Sequence, residues 1–215
     1  MSSPLHVLVV DDHATVREGL TRILTSHEAA WQVTGAENAQ AALSLVMQQV
    51  FDVGIVDMSM PGMNGMELVR ALRTQGHSLP LLMLSMHAEE AYALRAFKAG
   101  ANGYITKDRA SDDLVAAVLR VAQGGRYMSP TLVERVVFDL NGQVEVAPHT
   151  RLSDRELDIL RRLASGLEVA QVAEQLGLAP KTVMNCRARL QDKLGLPDPQ
   201  ALNEYAITHG LVPPP

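Results

Sequence analysis

Asp57 is the residue whose type and position in the sequence most clearly suit it to a chemical role. It follows a short apolar run at 52–56 and opens a loop that contains Pro61 and Gly62. A short run rich in Val and Ile indicates a buried parallel strand, and the Pro and Gly after it indicate a turn. The carboxylate is therefore expected at the carboxyl end of a strand, which is where open α/β sheets place their ligand crevice.

A second acidic feature, the pair Asp11-Asp12, directly follows another apolar run at 5–10. At the same edge of a parallel sheet, these two carboxylates would converge with Asp57. Like charges repel and raise one another's pKa unless a cation neutralises them, and a hard ion such as Mg²⁺ prefers oxygen ligands. The three carboxylates therefore predict a magnesium site.

Two more apolar runs lead to polar side chains: the run 80–85 ends in Ser85, and the run 103–107 leads into Lys107. A nucleophilic carboxylate, a metal site, a hydroxyl and a lysine form a set suited to phosphoryl transfer. Taken singly, an acidic pair before a helix is also typical of an N-cap, Ser85 of a loop hydroxyl and Lys107 of a solvated charge. Their common place at strand ends favours phosphoryl transfer.

The elements that must position these residues alternate between strand and helix. The predicted strands are 5–10, 31–36, 52–56, 80–85 and 103–107, and the predicted helices are 15–26, 39–48, 64–74, 88–99 and 111–123. Strands that alternate with amphipathic helices indicate a parallel sheet with helices on both faces. Residues 1–125 are therefore expected to form an α/β domain with a five-stranded parallel sheet.

The strand signal ends after this domain. Residues 126–150 are interpreted as a linker with a helix at 130–140, and residues 151–215 as a small all-α domain. Its helices are predicted at 154–165, 169–176, 180–194 and 199–209. A capping box starts at Ser153 and ends at Glu156, and the short turn after Gly177 joins two helices tightly, which is typical of a helix-turn-helix.

Composition narrows the functional class. The chain has 215 residues, a formal net charge of −5 and a single cysteine, Cys186. One cysteine argues against a disulfide scaffold or a zinc cluster and fits a reducing compartment. The first residues carry no charged leader, and no apolar run reaches the length of a membrane span. A cytoplasmic protein without a membrane partner is expected.

Residues 1 to about 125 resemble the receiver domain of bacterial two-component response regulators. The resemblance implies a flavodoxin-like, doubly wound sheet with strand order 2-1-3-4-5. By position, it makes Asp57 the phospho-acceptor, Ser85 and Tyr104 the switch residues, and Lys107 a ligand of the phosphoryl group together with Ser85. The implied Mg²⁺ ligands are the side chains of Asp12 and Asp57, Asp11 through water, and the carbonyl of Ser59.

Residues 151 to about 212 resemble the LuxR-type helix-turn-helix domain, which joined to a receiver defines the NarL/FixJ family of transcription regulators. The matching segments include 152–156, 164–166, 181–183 and 193–195. The resemblance implies a sensor histidine kinase as the phosphoryl donor, double-stranded DNA half-sites as targets and a homodimer in the phosphorylated state. The residues expected to contact DNA are Lys181, Thr182, Asn185, Arg187, Arg189 and Lys193.

Several polar positions depart from this family's pattern. Glu168 stands where a small hydroxyl is usual, Ala170 where a lysine is usual, Met184 at a frequent lysine position, and Ala188 where some members have another lysine. An acidic side chain repels phosphates, and each lost lysine removes a backbone contact. Cys186 replaces a common histidine and is interpreted as a packing residue.

These departures leave a second interpretation open. The helix predicted at 180–194, which the resemblance makes the recognition helix, keeps four basic side chains against one acidic, a net charge of +3. DNA binding is therefore the first expectation, and a degenerate output domain that binds another protein is the alternative. Leu202, Tyr205 and Ala206 are candidates for a dimer face or for the core.

Two enzyme classes share parts of the first motif. An aspartyl-phosphate hydrolase of the haloacid dehalogenase type needs a second acidic residue two positions after its nucleophile, where this chain has Ser59. A dinucleotide-binding enzyme needs a glycine-rich turn after the first strand, where this chain has Asp11-Asp12. A regulator is therefore expected rather than an enzyme.

Overall fold

The computed structural model of the chain describes residues 4–28, 30–86, 90–128, 133 and 148–212. The chain divides into two compact units, 1–142 and 143–215. The predicted helix at 130–140 lies outside the described residues except for position 133, and so does most of the predicted linker. The domain boundaries at 125 and 150 stay predictions.

The first unit is a five-stranded sheet in the order β2-β1-β3-β4-β5, in which every neighbouring pair is parallel. The strands are β1 (His6–Val10), β2 (Gln32–Ala36), β3 (Val53–Asp57), β4 (Leu81–Ser85) and β5 (Gly103–Thr106). The predicted five-stranded doubly wound fold and its strand order are confirmed.

In the described part of this unit, five helices cover the sheet: α1 (Ala14–His27), α2 (Ala39–Gln48), α3 (Gly65–Thr74), α4 (Glu90–Ala99) and α5 (Ala110–Ala122). Helices α1 and α5 pack against each other on one face, and α2, α3 and α4 follow one another on the opposite face. Because both faces are covered, β3 and β4 are buried along their whole length. This is why their sequences are continuous apolar runs.

The start of α3 is fixed by a reciprocal cap. Asn64 N–H donates to Glu67 Oε2 at 2.9 Å, and Glu67 N–H donates to Asn64 Oδ1 at 2.9 Å. Such a box satisfies two of the amide groups that a helix start leaves free. It holds the loop that leads from Asp57 into α3.

Within residues 148–212, the described part of the second unit, the helices are α6 (Asp154–Ala164), α7 (Val169–Leu176), α8 (Pro180–Leu194) and α9 (Pro199–Thr208), preceded by a 3₁₀ turn at Pro148–Arg151. The predicted capping box is present, since Ser153 N–H donates to Glu156 Oε2 at 2.9 Å. Gly177 adopts φ +62° after α7, and Leu178 N–H donates to the Ala173 carbonyl at 2.8 Å. A left-handed glycine here reverses the chain tightly between α7 and α8, as a helix-turn-helix requires.

None of the helices among the described residues combines the length and the apolar composition that a membrane crossing needs.

Candidate functional site

Asp57 lies at the carboxyl end of β3, the central strand, and only 3% of its surface is exposed. The neighbouring β1 pairs with β3 through Val10 and Val56. Asp11 and Asp57 are the next residues along the two strands, so they lie side by side at the same edge of the sheet. The predicted convergence of these two carboxylates is what parallel pairing produces.

Lys107 joins the two carboxylates. Its ammonium lies 2.8 Å from Asp11 Oδ2 and 3.0 Å from Asp57 Oδ1. The lysine comes directly after β5, at the far edge of the sheet, so its long side chain reaches back across the carboxyl ends of the strands. Three residues that are distant in sequence thus form one buried charge cluster.

Burial and neighbouring charges set the ionisation of this cluster. The pKa of Asp57 is raised to about 6: burial is the largest cause, Asp11 and Asp12 also raise this pKa, and Lys107 lowers it. Burial by itself would lower the pKa of Lys107, but its hydrogen bonds to Asp11 and Asp57 and their charges raise the pKa of Lys107 above its usual value. The site therefore keeps a charged lysine beside a carboxylate that would be stabilised by a further cation.

The acidic pair does not cap α1. The N-cap of α1 is His13, and its side chain makes no capping bond. Asp11 instead accepts the His13 N–H at 2.8 Å through Oδ1, and its own carbonyl accepts from Arg17 Nη1 at 2.7 Å. The Asp11 side chain thus binds the amide of the N-cap residue itself and not one in the first turn of α1, so the N-cap interpretation of the pair does not hold.

Asp12 contributes an oxygen that the protein leaves unsatisfied. Among the described residues, Asp12 Oδ1 is buried and has no hydrogen-bond partner. His13 Nδ1 lies 3.1 Å from it, but without the geometry of a hydrogen bond. A buried carboxylate oxygen without a partner is costly, and a bound cation would satisfy it.

His13 is a potential ligand that the sequence pattern did not predict. Asp11, Asp12 and His13 each offer a potential metal ligand, and these atoms lie within 4.8 Å of one another. The only signal in the sequence is that His13 directly follows the acidic pair. Magnesium favours oxygen over nitrogen ligands, so the carboxylates remain the preferred donors for that ion.

The two predicted switch residues lie on neighbouring strands. Ser85 ends β4 and Tyr104 lies in β5, and both are almost fully buried. Met83 pairs with Tyr104 and Ser85 with Thr106, so Ser85 and Tyr104 project from the same face of the sheet. The Ser85 hydroxyl also lies 3.9 Å from the sulfur of Met58, the residue after Asp57.

Two positions in the segment after Asp57, Ser59 and Gly65, differ in how closely they are packed. Ser59, the predicted carbonyl ligand, is half-buried. Gly65, at the start of α3, packs so closely that an added Cβ would lie 2.2 Å from the carbonyl oxygen of Asp57. Only glycine fits there, and the residue pattern around Gly65 gives no sign of this constraint.

In the second unit, α8 presents two distinct faces. Val183, Cys186, Leu190 and Leu194 are buried, and burial raises the pKa of the Cys186 thiol. A buried thiol with a raised pKa is a poor nucleophile, in agreement with its predicted role in packing. The exposed residues of the opposite face are Lys181, Thr182, Met184, Asn185, Ala188 and Arg189.

The predicted DNA contacts of α8 do not all lie on this exposed face. Arg187 is half-buried, whereas Arg189 is exposed, and residues two apart in an α-helix project roughly 160° from each other. Lys193 is held by Glu156, with Nζ 2.8 Å from Oε1 and 2.9 Å from Oε2. The structure thus groups Lys181, Thr182, Asn185 and Arg189 and places Arg187 on another side of α8. Lys193, one turn after Arg189, is exposed but paired with Glu156.

Glu168 has a local structural role. It is the N-cap residue of α7, and its N–H donates to Gln171 Oε1 at 2.9 Å. A carboxylate beside a helix start is favoured by the helix dipole.

Two of the candidates for a dimer face, Leu202 and Ala206, are buried within the unit, and Tyr205 accepts the His149 N–H at 3.2 Å through its hydroxyl.

Comparisons with known proteins match both units. The family model of the response regulator receiver domain matches residues 7–119, and that of the bacterial regulatory proteins of the luxR family matches residues 150–206. The response regulator UvrY of Escherichia coli strain K12 is 34% identical over 208 residues, covering 96% of this chain and 95% of UvrY. The response regulator GacA of Pseudomonas aeruginosa is 33% identical over 209 residues, covering 97% of this chain and 98% of GacA.

A solved structure with a similar fold is that of RcsB from Salmonella enterica serovar Typhimurium, bound to promoter P1flhDC in the presence of the phosphomimetic BeF3⁻. It has a TM-score of 0.66 and 26% sequence identity, and the match covers 96% of this chain and all of that one.

Proposed function

The chain belongs to the response regulators that join a receiver domain to a LuxR-type DNA-binding domain, and we propose that phosphorylation of Asp57 controls how its second domain binds promoter DNA. A sensor histidine kinase is the proposed phosphoryl donor. The output is transcription regulation, so the aspartyl phosphate serves as a signal rather than as an intermediate of turnover.

The observation that carries this proposal is the cluster of Asp57, Asp11 and Lys107. A nucleophile must be ionised, and a pKa of about 6 leaves the Asp57 carboxylate mostly charged at neutral pH. Its oxygen would attack the phosphorus atom of the donor; an oxygen–phosphorus bond forms while the bond between phosphorus and the donor's imidazole nitrogen breaks. Lys107, 3.0 Å from Asp57, then pairs with the new phosphoryl charge.

The acidic residues suit a magnesium ion. Asp11, Asp12 and Asp57 carry the oxygen donors. Ligand atoms of Asp11 and Asp12 lie within 4.8 Å of each other, Asp11 and Asp57 directly follow a pair of residues in register on β1 and β3, and the unsatisfied Asp12 oxygen supports a cation at this place. We assign Asp12 and Asp57 as direct ligands, Asp11 as a ligand through water and the Ser59 carbonyl as the last protein donor. When bound, the ion would neutralise charge on the transferring phosphoryl group.

Ser85 and Tyr104 are proposed to carry the signal away from Asp57. A hydroxyl at the end of β4 can donate to a phosphoryl oxygen, and Tyr104 projects from the same sheet face on the next strand. Both side chains are already buried, so phosphorylation would stabilise an arrangement that is accessible to the unmodified protein.

The proposed DNA surface is the exposed face of α8. Lys181 and Arg189 would neutralise phosphates, Thr182 would contact a phosphate, and Asn185 would hydrogen-bond a base edge. RcsB, which is similar over nearly its whole length, has been solved on promoter DNA with a phosphomimetic. We propose that this chain likewise binds DNA and that a homodimer occupies two half-sites.

Incubation with acetyl phosphate and Mg²⁺ tests the first step. Intact-mass and peptide measurements should find one phosphoryl group, on Asp57, and none when Mg²⁺ is chelated. Asp57→Asn should accept none, whereas Asp52→Asn, just before the start of the same strand, should behave as wild type. Phosphorylation of Asp57→Asn, or modification without Mg²⁺, would overturn the proposal.

A further inference from the structure

Met184 is a large apolar side chain that is exposed on the surface of α8. Among the described residues, the large hydrophobic side chains with high exposure are those of Met47, Val50, Met86, Val133 and Met184. Only Met184 belongs to the second unit, and 52% of its surface is exposed. It lies on α8, the helix that the proposed function places against DNA.

The position of Met184 on α8 is set by helical spacing. Met184, Asn185 and Ala188 follow Lys181 by three, four and seven residues, so the four form one continuous face. All four are exposed, while Val183 and the other buried residues of α8 point into the unit. Met184 therefore presents its side chain to solvent on the face that also carries a cationic and an amide side chain.

Bases differ in what they offer to such a side chain. In the major groove, most base edges present hydrogen-bond donors and acceptors, and thymine alone among the four bases presents a methyl group. A thioether side chain is apolar, flexible and polarizable, so it can cover a methyl group closely. It makes no charged contact with phosphate or with guanine.

We infer that Met184 reads thymine through its C5 methyl group and is a specificity-determining residue of the recognition helix. This inference rests on the proposed function, because it requires α8 to enter the major groove. Ala188, one turn further along the same face, ends at its Cβ and leaves room for the methionine and the base. Asn185, beside Met184, has the amide group that pairs with adenine.

Deoxyuridine differs from thymidine only by the absence of this methyl group, so it isolates the proposed contact. A binding site is first selected from a random DNA library with the beryllofluoride-loaded protein. Each thymine of the selected site is then replaced singly by deoxyuridine, and the Kd is measured by fluorescence anisotropy for wild type and variants. Covering one methyl group corresponds to about a fourfold change in Kd.

Wild type should lose about fourfold in affinity at one thymine or more of each half-site. Met184→Ala should bind the thymine and deoxyuridine sites equally well, and Met184→Leu, which keeps an apolar side chain, should retain the difference. Met47→Ala removes a comparably exposed methionine from the first unit, so it should match wild type.

Two results would overturn the inference. If no thymine is sensitive in wild type, or if Met184→Ala keeps the same sensitivity, another residue or no residue reads the methyl group, and DNA binding itself stands. If the library yields no enriched sequence, the proposed function fails, and the inference fails with it. Circular dichroism of Met184→Ala separates a lost contact from a lost fold.

Discussion

At the residue scale, the central feature is the carboxylate of Asp57, whose charged form is disfavoured by its surroundings. Asp57 is buried beside Asp11 and Asp12, and Lys107 offsets only part of the resulting rise in its pKa. Ion pairs of this kind stabilise little when desolvation is severe. Keeping Asp57 charged at this position therefore costs stability of the resting protein, which fits the roles in phosphoryl transfer and cation binding proposed for the site.

Removing the charge of Asp57 should stabilise the receiver domain when no divalent cation is present. A carboxyl group whose pKa is higher in the folded than in the unfolded state weakens folding as pH rises through that interval, from 3.8 to about 6. Asp57→Asn should therefore raise the free energy of unfolding at pH 8 by on the order of 1–3 kcal/mol, and by less at pH 5.

Urea unfolding followed by the fluorescence of Trp31, the single tryptophan, measures this domain alone because Trp31 lies in the first unit. Saturating Mg²⁺ should reduce the difference between wild type and Asp57→Asn. A variant that is less stable than wild type at pH 8 without cations would show that Asp57 is not under electrostatic strain.

Gly65→Ala should disrupt the loop that carries the site. Its Cβ would lie 2.2 Å from the Asp57 carbonyl, so the loop or the start of α3 must move. We expect a loss of about 2 kcal/mol or more in stability, together with slower phosphorylation by acetyl phosphate. Gly19→Ala is the matched control, because a Cβ there meets no atom within 4 Å and the position lies within α1.

A helix-interior glycine changed to alanine should be neutral or stabilising, so the control should unfold no earlier than wild type. Equal behaviour of the two glycine variants would contradict the close packing of Gly65.

The sequence predicted the residue types of the site well, because apolar strands end abruptly in polar side chains at Asp11, Asp57 and Ser85. It could not predict the bridging position of Lys107 from physics alone, since that depends on how five strands are ordered. The close packing of Gly65 was missed because it depends on backbone geometry rather than on residue type, and His13 was missed although it directly follows the acidic pair.

At the element scale, Glu156 connects two helices, α6 and α8, of the second unit, which is the output domain. It completes the cap of α6 at Ser153 and pairs with Lys193 near the end of α8. Burial would raise the pKa of Glu156, but the bonds from Lys193 and Ser153 outweigh this and lower it. The Glu156 carboxylate thus stabilises the start of α6 and also binds α8.

Glu156→Gln should keep the cap and lose the ion pair. Because Lys193 is about half exposed, we expect a loss of only about 1 kcal/mol at pH 7. A carboxylate whose pKa is lowered by folding stabilises above its ordinary value of 4.5, so the difference between variant and wild type should shrink as pH falls below that value.

Differential scanning calorimetry should show a lower transition temperature for the output domain, while the Trp31 signal of the receiver stays unchanged. An unchanged output transition at pH 7 would show that the pair contributes nothing.

The cations of α8 should differ in their effect on DNA binding. Lys181 and Arg189 lie on the exposed face, whereas Lys193 is engaged by Glu156. Lys181→Ala and Arg189→Ala should each reduce by about 1 the slope of log K against log salt. Lys193→Ala should lower stability and leave the slope nearly unchanged, and Arg22→Ala on the receiver should alter neither. Equal slopes for all four variants would contradict this division.

The elements themselves were largely predictable. Helix bounds at 39–48, 169–176 and 180–194 agree with the structure because strong periodicity coincides there with clear ends, such as Gly177. The direction of individual side chains was less accessible: Arg187 and Arg189 looked equivalent in sequence, yet they project to different sides of α8. The pairing of Lys193 depends on contact between α6 and α8, which the sequence of either helix does not reveal.

At the scale of the whole molecule, two units share one chain with a formal net charge of −5. Phosphorylation adds further negative charge to the receiver, so simple attraction to DNA cannot be the signal. Any gain in DNA affinity must come from a changed equilibrium between states of the protein. The pairing of a receiver with a helix-turn-helix domain followed from family resemblance, since periodicity indicates the folds but not their coupling.

The most direct test of this account measures DNA affinity with and without a phosphoryl mimic. The protein is loaded with beryllofluoride and Mg²⁺, bound genomic fragments are selected at moderate salt, and the Kd for the enriched site is compared between loaded and unloaded protein. We predict one enriched sequence pattern, with tighter binding after loading and no effect of loading in Asp57→Ala. Equal affinity of loaded and unloaded wild type, or the same gain in Asp57→Ala, would contradict a switch at Asp57.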